Sequence, residues 1–394
     1  MEENTEISKS NKIKIIVITA LIFLVSIAGI SYAYFTIQVV GNETASSMRL
    51  RTANMSLVYN DVQIVSGEYA QPGWTDTKTL TVTNTGNVSA NYIIKFRELL
   101  NTVINGELVL SATCSASSGT CDALPERAVH AASSEITNAY MYGPYTIAPG
   151  VTHTYTLTVL FKETGSNQNY NQNKEFYGTL NIGDGSPTDE SCFTRSGASL
   201  TAYNCTDTDI IIPKTVGGTT ITTLASNAFN NKGLTSVVIQ NGIATINGSA
   251  FRNNQLTSIV VPDSVTLINS NAFQDNDITS VVIPSSVSSV AYASFYGNSL
   301  MSAKLPNTIT SIGNLSFYNN KLTQIIIPSS VTTIDTNAFA QNQFTSVIIA
   351  GKTSSSDFTT YSPGWTWAAQ ANRACTVTNN TSNVSGGCIT WLGN

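Results

Sequence analysis

The sequence predicts a mainly β chain in three parts: an N-terminal membrane or signal helix, a β-sandwich, and a solenoid of 22-residue repeats. Three observations carry this. Phenylalanine recurs at 229, 251, 273, 295, 317 and 339, always 22 positions apart. Short alternating β-branched runs fill the stretch before the repeats. Near the N-terminus, Ile15 to Asn42 carries no charge and is preceded by Lys9, Lys12 and Lys14.

Six phenylalanines in register make an array, and an array is read as one unit. Other columns keep the same period. Leu234, Leu256, Ile278, Leu300, Leu322 and Phe344 stand five after each Phe, and Ile246, Ile268, Val290, Ile312 and Ile334 stand five before it. Runs such as "TSIVVP" alternate and are β-branched, so each repeat holds a short strand. Pro262, Pro284, Pro306 and Pro328 end these strands, because proline cannot donate to a ladder. Gln240 and Ala350 break that column. The stretch around "SNAF" reads as a short turn or single-turn helix that drops Phe inward. A single repeat cannot bury its own apolar face, but stacked repeats bury a continuous core. The expected product is one parallel sheet of six strands about 4.8 Å apart.

The pattern "LTSIxIPxSVTxIxxxAFxxN" over about 210–349 resembles the BspA-like class of bacterial leucine-rich repeats. That resemblance implies a solenoid on a surface protein, often one involved in adhesion. The stretch "CFTRSGASLTAYNCTDTDIIIP" resembles the hairpin that caps such arrays at the N-terminal end. Lys304, Gln240 and an insertion around 216–220 depart from the pattern.

The lysines before the uncharged stretch favour a cytoplasmic N-terminus with the remainder outside. The apolar run ending at Ile30 reads either as a signal peptide cleaved after Ala33 or as a retained anchor. Between it and the array, "DTKTLTVTNTGNVSANYIIKF" reads as a hairpin-like strand pair turning at Asn84–Asn87. Two further strands follow in "APGVTHTYTLTVLF" and "KEFYGTLNI". Several short strands at this spacing predict the sandwich. The pieces "SYAYFT", "TVTNTGN" and "NQNYNQNKEFYGTLNI" resemble exported proteins of the TasA and camelysin type. That resemblance implies export and, in some members, matrix fibres; the "CSASSGTC" insert departs from it. The expected division is 1–33 cytoplasmic tip with signal peptide or anchor, 34–183 sandwich and 184–190 linker. Residues 191–350 then form the solenoid with its cap hairpin, and 351–394 a C-terminal cap region.

Six cysteines allow 15 connectivities. Local pairing is the simplest: Cys114 with Cys121, Cys192 with Cys205, Cys375 with Cys388. The last two pairs flank the array, whose ends expose apolar surface and need caps.

Composition excludes some functions. Only 11% of 394 residues are charged and the net charge is -5, too little basicity for a nucleic-acid partner. No zinc, phosphate-loop or nucleophile-elbow motif occurs, and no paired carboxylates stand out. His130 and His153 read as structural, and Asp207 and Asp209 as a hydrated loop. Asn254, Asn276, Asn298, Asn320 and Asn342, three after each Phe, read as an amide ladder satisfying turn backbone. Trp365 and Trp367 read as a lid on the last repeat.

Positions five, eight and ten after Phe are expected to point inward, so position nine points out. That column is Val238, Val260, Val282, Lys304, Ile326 and Ile348, bordered by Ser236, Ser258, Ser280, Ser302, Gln324 and Ser346. This exposed stripe is the candidate binding surface. The resulting expectation is a non-enzymatic bacterial protein, extracellular and either secreted or membrane-anchored. It would present its solenoid to a host or bacterial surface protein or glycan, with no cofactor, metal or nucleic acid. The alternative is a structural matrix subunit polymerising through the sandwich. There, "YFTIQVV" from Tyr34 would add a strand to a neighbour's sheet.

Overall fold

The computed structural model describes residues 32–34, 57–60, 62–65, 72–163, 174, 176–364, 381–384 and 387–392. The N-terminal apolar run, Cys375, Trp365 and Trp367 lie outside the described residues. Among those described, no helix is long and apolar enough to cross a membrane.

The first ten strands are β1 (Tyr32–Tyr34), β2 (Leu57–Asn60), β3 (Val62–Val65), β4 (Thr75–Asn84), β5 (Ala90–Asn101), β6 (Leu108–Ala116), β7 (Leu124–Ala128), β8 (Ala132–Ile147), β9 (Thr152–Phe161) and β10 (Phe176–Asp184). They form two sheets in the orders β1-β2-β4-β9-β6-β7 and β3-β10-β5-β8. Alternation explains the layering. Leu80 and Val82 of β4, Tyr155, Leu157 and Val159 of β9, and Tyr92, Ile94 and Phe96 of β5 all bury into one core. Threonines take the opposite parity on β4 and β9. The hairpin expected at Asn84–Asn87 is instead a crossing between sheets, because β4 and β5 both turn their apolar parity toward that shared core. Buried Asn84 fixes the corner: its Nδ2 donates to the carbonyls of Val88 (2.7 Å) and Ile147 (3.0 Å), and its Oδ1 accepts from the Gly86 amide. The expected cleavage point, Ala33, falls inside edge strand β1, which pairs antiparallel with β2 of its own sheet.

The solenoid is built on three ladders, where the sequence suggested one. The outward strands, among them Ser236–Val238, Ser280–Val282, Ser302–Lys304, Gln324–Ile327 and Ser346–Ala350, form the first. A second parallel ladder joins two-residue strands five and six before each Phe, such as Thr245–Ile246 with Leu267–Ile268. The third runs through the Phe turns: the Phe251 amide donates to Ala272 O (2.8 Å) and Phe273 to Ser294 O (2.9 Å). The outward ladder is divided. Ser236–Val238 pairs back with Asp209–Ile211, Ser280–Val282 pairs with Ser302–Lys304, and no strand forms at 258–260. The other two ladders fix the spacing of the coils, so this side opens without unstacking the core.

Phenylalanine rings from neighbouring coils stack at 4.9–5.7 Å. Tyr203 of the cap hairpin (Phe193–Ser196 with Ser199–Tyr203) continues the stack beyond Phe229, and the Cys192–Cys205 disulfide ties that hairpin. Cys114–Cys121 closes the β6–β7 insert. Two departures from the repeat also have local explanations. Buried Gln240, at a proline position, donates to Ile212 O (2.7 Å). The insertion at 216–220 is a small hairpin, Thr215–Val216 with Thr219–Thr220, turning on Gly217 and Gly218 at positive φ.

Each turn places left-handed residues two before and two after its Phe. Asn227, Asn271 and Asn337 meet the first need, and Asn231, Asn253, Asn319 and Gly297 the second. Asn and Gly reach this region most readily. Leu315 stands there at φ 55 with no such advantage. Leu315→Asn is therefore expected to stabilise the solenoid by about 1 kcal/mol, read as a rise in its unfolding midpoint. Phe273 is fully buried between Phe251 and Phe295. Phe273→Ala should cost about 3–5 kcal/mol in the same measurement, and a loss below about 1 kcal/mol would contradict the stacked core.

Candidate functional site

The inward half of the predicted strand pattern is present. Val237, Ile259, Val281, Ala303, Ile325 and Val347, eight after each Phe, are all buried. The next column projects away from that core, but much of it does not reach solvent. Val238 is 1% exposed and packs with Ile93 of β5, Tyr140 of β8 and Ile211. Val260 packs half-buried against the same cluster. Ser280 and Ser302 are buried, and Ser236 and Ser258 are half-buried. The predicted continuous exposed stripe therefore needs correction: the outer face of the four-stranded sheet and the loops beside it cover its first part. Ile93 has the parity opposite to Tyr92 and Ile94, which points it out of the sandwich and onto the solenoid.

Two serines of the outward face receive sandwich backbone. The Asn105 amide donates to Ser302 Oγ (2.9 Å), and the Ala131 amide donates to Ser280 Oγ (3.0 Å). Asn105 and Gly106 both sit near φ 62, and together they turn the β5–β6 loop over the solenoid. A Cβ on Gly106, at positive φ, would stand 2.9 Å from Lys304 Cδ and 3.1 Å from Ala128 Cβ, so a larger residue would have to displace the lysine stem. The Lys304 interruption gains a reason here. Burial pushes its ammonium below the usual lysine range, Lys162 acts the same way, and Glu126 and Glu107 of the sandwich oppose both. A cleft of about 190 Å3 remains between the two bodies, walled by Gly106, Arg127 and His130 and floored by Val260, Val282 and Lys304.

His130 is buried in this contact. Its Nε2 donates to Tyr140 O (3.0 Å), which leaves Nδ1 as the acceptor facing Ser280 Oγ at 3.5 Å. Burial pushes the imidazole down to about 4; the Tyr140 carbonyl opposes this and Arg127 adds to it. His153 is a core residue whose Nδ1 meets the Tyr92 hydroxyl (2.7 Å), itself 2.6 Å from Tyr155 Oη. Asp207 and Asp209 are exposed, and among the described residues no three His, Cys, Asp or Glu side chains come together to hold a metal.

Val282, on the cleft floor, is 40% exposed; past the sandwich Ile326, Ile348, Gln324 and Ser346 are half-buried. Sequence reasoning missed the sandwich side of the contact: Ile93, Asn105, Gly106, His130, Ala131 and Tyr140. Its one available signal was Lys304, a lone charge in an aliphatic column.

The asparagine column is the structural ladder that the spacing suggested. Asn276 Nδ2 donates to Phe251 O (2.9 Å) and Phe273 O (3.2 Å), and its Oδ1 accepts from the Leu256 amide (3.2 Å). Asn254, Asn298, Asn320 and Asn342 repeat the pattern one coil apart. Residues 222–346 match, in six copies, the family described as "BspA type Leucine rich repeat region". No curated protein matches. Solved structures that share likeness with the chain include two leucine-rich proteins. One is a leucine rich cell surface protein from Faecalibacterium prausnitzii A2-165, 27% identical, TM-score 0.33, covering 42% of this chain and 55% of that one. The other is a leucine-rich repeat protein from Bacteroides ovatus ATCC 8483, 18% identical, TM-score 0.25, covering 39% and 53%. The chain thus spans about half the length of each.

The asparagine ladder gives a direct test. Asn276→Ala would leave two buried carbonyls and one buried amide unpaired, at about 1–3 kcal/mol each before relaxation. We expect a total loss of several kcal/mol in denaturant unfolding. A change under about 1 kcal/mol would mean that water replaces the amide.

Proposed function

We propose that this is a non-enzymatic extracellular protein, secreted or held at a cell surface, that presents its BspA-type solenoid to a surface protein or glycan. The observation that carries the reading is the outward column beyond the sandwich. There Ile326 and Ile348 stand in adjacent paired strands, flanked by Gln324 and Ser346, and remain partly accessible. Apolar side chains rimmed by small polar ones on a rigid sheet suit a protein or glycan contact. The repeat spacing fixes their positions without any partner, so little ordering cost falls on binding.

Export and attachment belong to the same proposal and rest on the lysines and uncharged stretch at the N-terminus. N-terminal sequencing of the extracellular protein tests them: a start at Tyr34 supports cleavage, and intact protein in the membrane fraction supports an anchor. For the binding face, Ile326 and Ile348 are changed together to Thr. β-branching is kept, so stability should stay within about 1 kcal/mol. Attachment of the purified protein to bacterial or host surfaces should fall at least about tenfold, or about 1.4 kcal/mol. Unchanged attachment with unchanged melting overturns the role of this face.

A further inference from the structure

We propose that the sandwich is a latch over the solenoid's outward face and that acid opens it through His130. The bonds across the contact include Ala131 N to Ser280 Oγ and Asn105 N to Ser302 Oγ, beside the apolar group of Ile93, Tyr140, Ile211 and Val238. His130 stands at its centre, with its ring held between the Tyr140 carbonyl of β8 and the Ser280 hydroxyl of the solenoid. The neutral ring fits this position. Nε2–H donates to Tyr140, Nδ1 faces the Ser280 hydroxyl hydrogen, and Ser280 Oγ stays free to accept from Ala131. A proton on Nδ1 makes that nitrogen a donor, so Ser280 must turn its hydrogen away. It also places a cation in a buried site near Arg127, with no carboxylate among its hydrogen-bond partners.

The closed state therefore resists protonation and the open state does not. The imidazole, ordinarily near 6.5, is held near 4 while buried. A depressed histidine stabilises the closed state fully above its open-state value, and that stability is lost as pH falls from about 6.5 toward 4. Between pH 7 and 4 the ratio of open to closed should rise roughly a hundredfold. Other charges face the same cleft: Glu126 and Arg127 from the sandwich, Asp263 and Lys304 from the solenoid. Glu107 and Lys162 also act on Lys304. Protonating the carboxylates would weaken the hold on Lys304 and push in the same direction, so the test must separate them from His130.

The purpose of the latch rests on the binding function proposed above, but its opening needs no partner to be seen. The Asn105 and Ala131 amides are its reporters, because both donate across the contact. Hydrogen exchange on the whole protein, corrected for intrinsic rates, should show their protection falling about a hundredfold from pH 7 to 4, while the Phe273 and Phe295 turn amides keep theirs. In His130→Gln, which cannot take up the proton, the fall should largely disappear. The imidazole titration of His130 in the unmodified protein, followed by NMR, should share its midpoint with the loss of protection. Unchanged Ala131 protection at pH 4 overturns the latch. An equal fall in His130→Gln, or a His130 midpoint well away from the transition, overturns the role of His130. Loss of surface attachment at every pH would count against the proposed binding face and leave these exchange results standing.

Discussion

The solenoid depends on one side chain acting between coils. Each Asn of the 254–342 column belongs to one coil, donates to its own Phe carbonyl and to the Phe carbonyl of the coil before, and accepts an amide from that earlier coil. Turns tight enough to drop a Phe into the core turn carbonyls inward, where water cannot reach them. A buried unpaired carbonyl costs about 1–3 kcal/mol, more than a hydrogen bond contributes net, so without the amide each turn would cancel much of what its Phe gains. With the amide present, the turns stack at the ring spacing of 4.9–5.7 Å and the Phe rings follow.

That ladder sets the freedom of the other two sides. Because the Phe turns fix the rise per coil, the outward strands need not remain continuously paired. The gap at 258–260 is tolerated beside the sandwich contact, where Val260 joins the cluster of Ile93, Tyr140, Ile211 and Val238. The cover is thus a consequence of periodicity. A regular aliphatic column with small serines beside it is flat enough to receive a sheet, and the sandwich offers one whose outward Ile93 and Tyr140 fit it.

The repeat was legible because it is written in one-dimensional spacing. The inward columns, the amide ladder and the cap hairpin all follow from residues 22 apart or from a local cysteine pair. The sandwich strands were legible by alternation, but their partners were not. Parity puts Leu80 and Tyr92 toward a core without saying whether their strands share a sheet, and they do not. The cover was least legible, since it joins residues 149 and 197 positions apart through backbone amides, which carry no sequence signature. Periodicity says that position nine leaves the core, and nothing in it says what lies outside.

Departures from the repeat are therefore the informative positions. Six coils that differ nowhere would present the same surface along the whole solenoid, and a second body could slide along it by a coil at little cost. Lys304 removes that degeneracy. Its ammonium is half-buried at a place where Glu126 and Glu107 oppose the cost of burial, and a shift by one coil would set it against neither. Gly106 adds a steric part to the same argument, since the lysine stem passes close to where its side chain would begin. Together a charge and an absence of bulk fix one register among several apolar equivalents, at the boundary between the covered coils and the open pair at Ile326 and Ile348. The sequence anomaly that interrupts the candidate binding stripe is the residue that decides how much of the stripe is left uncovered.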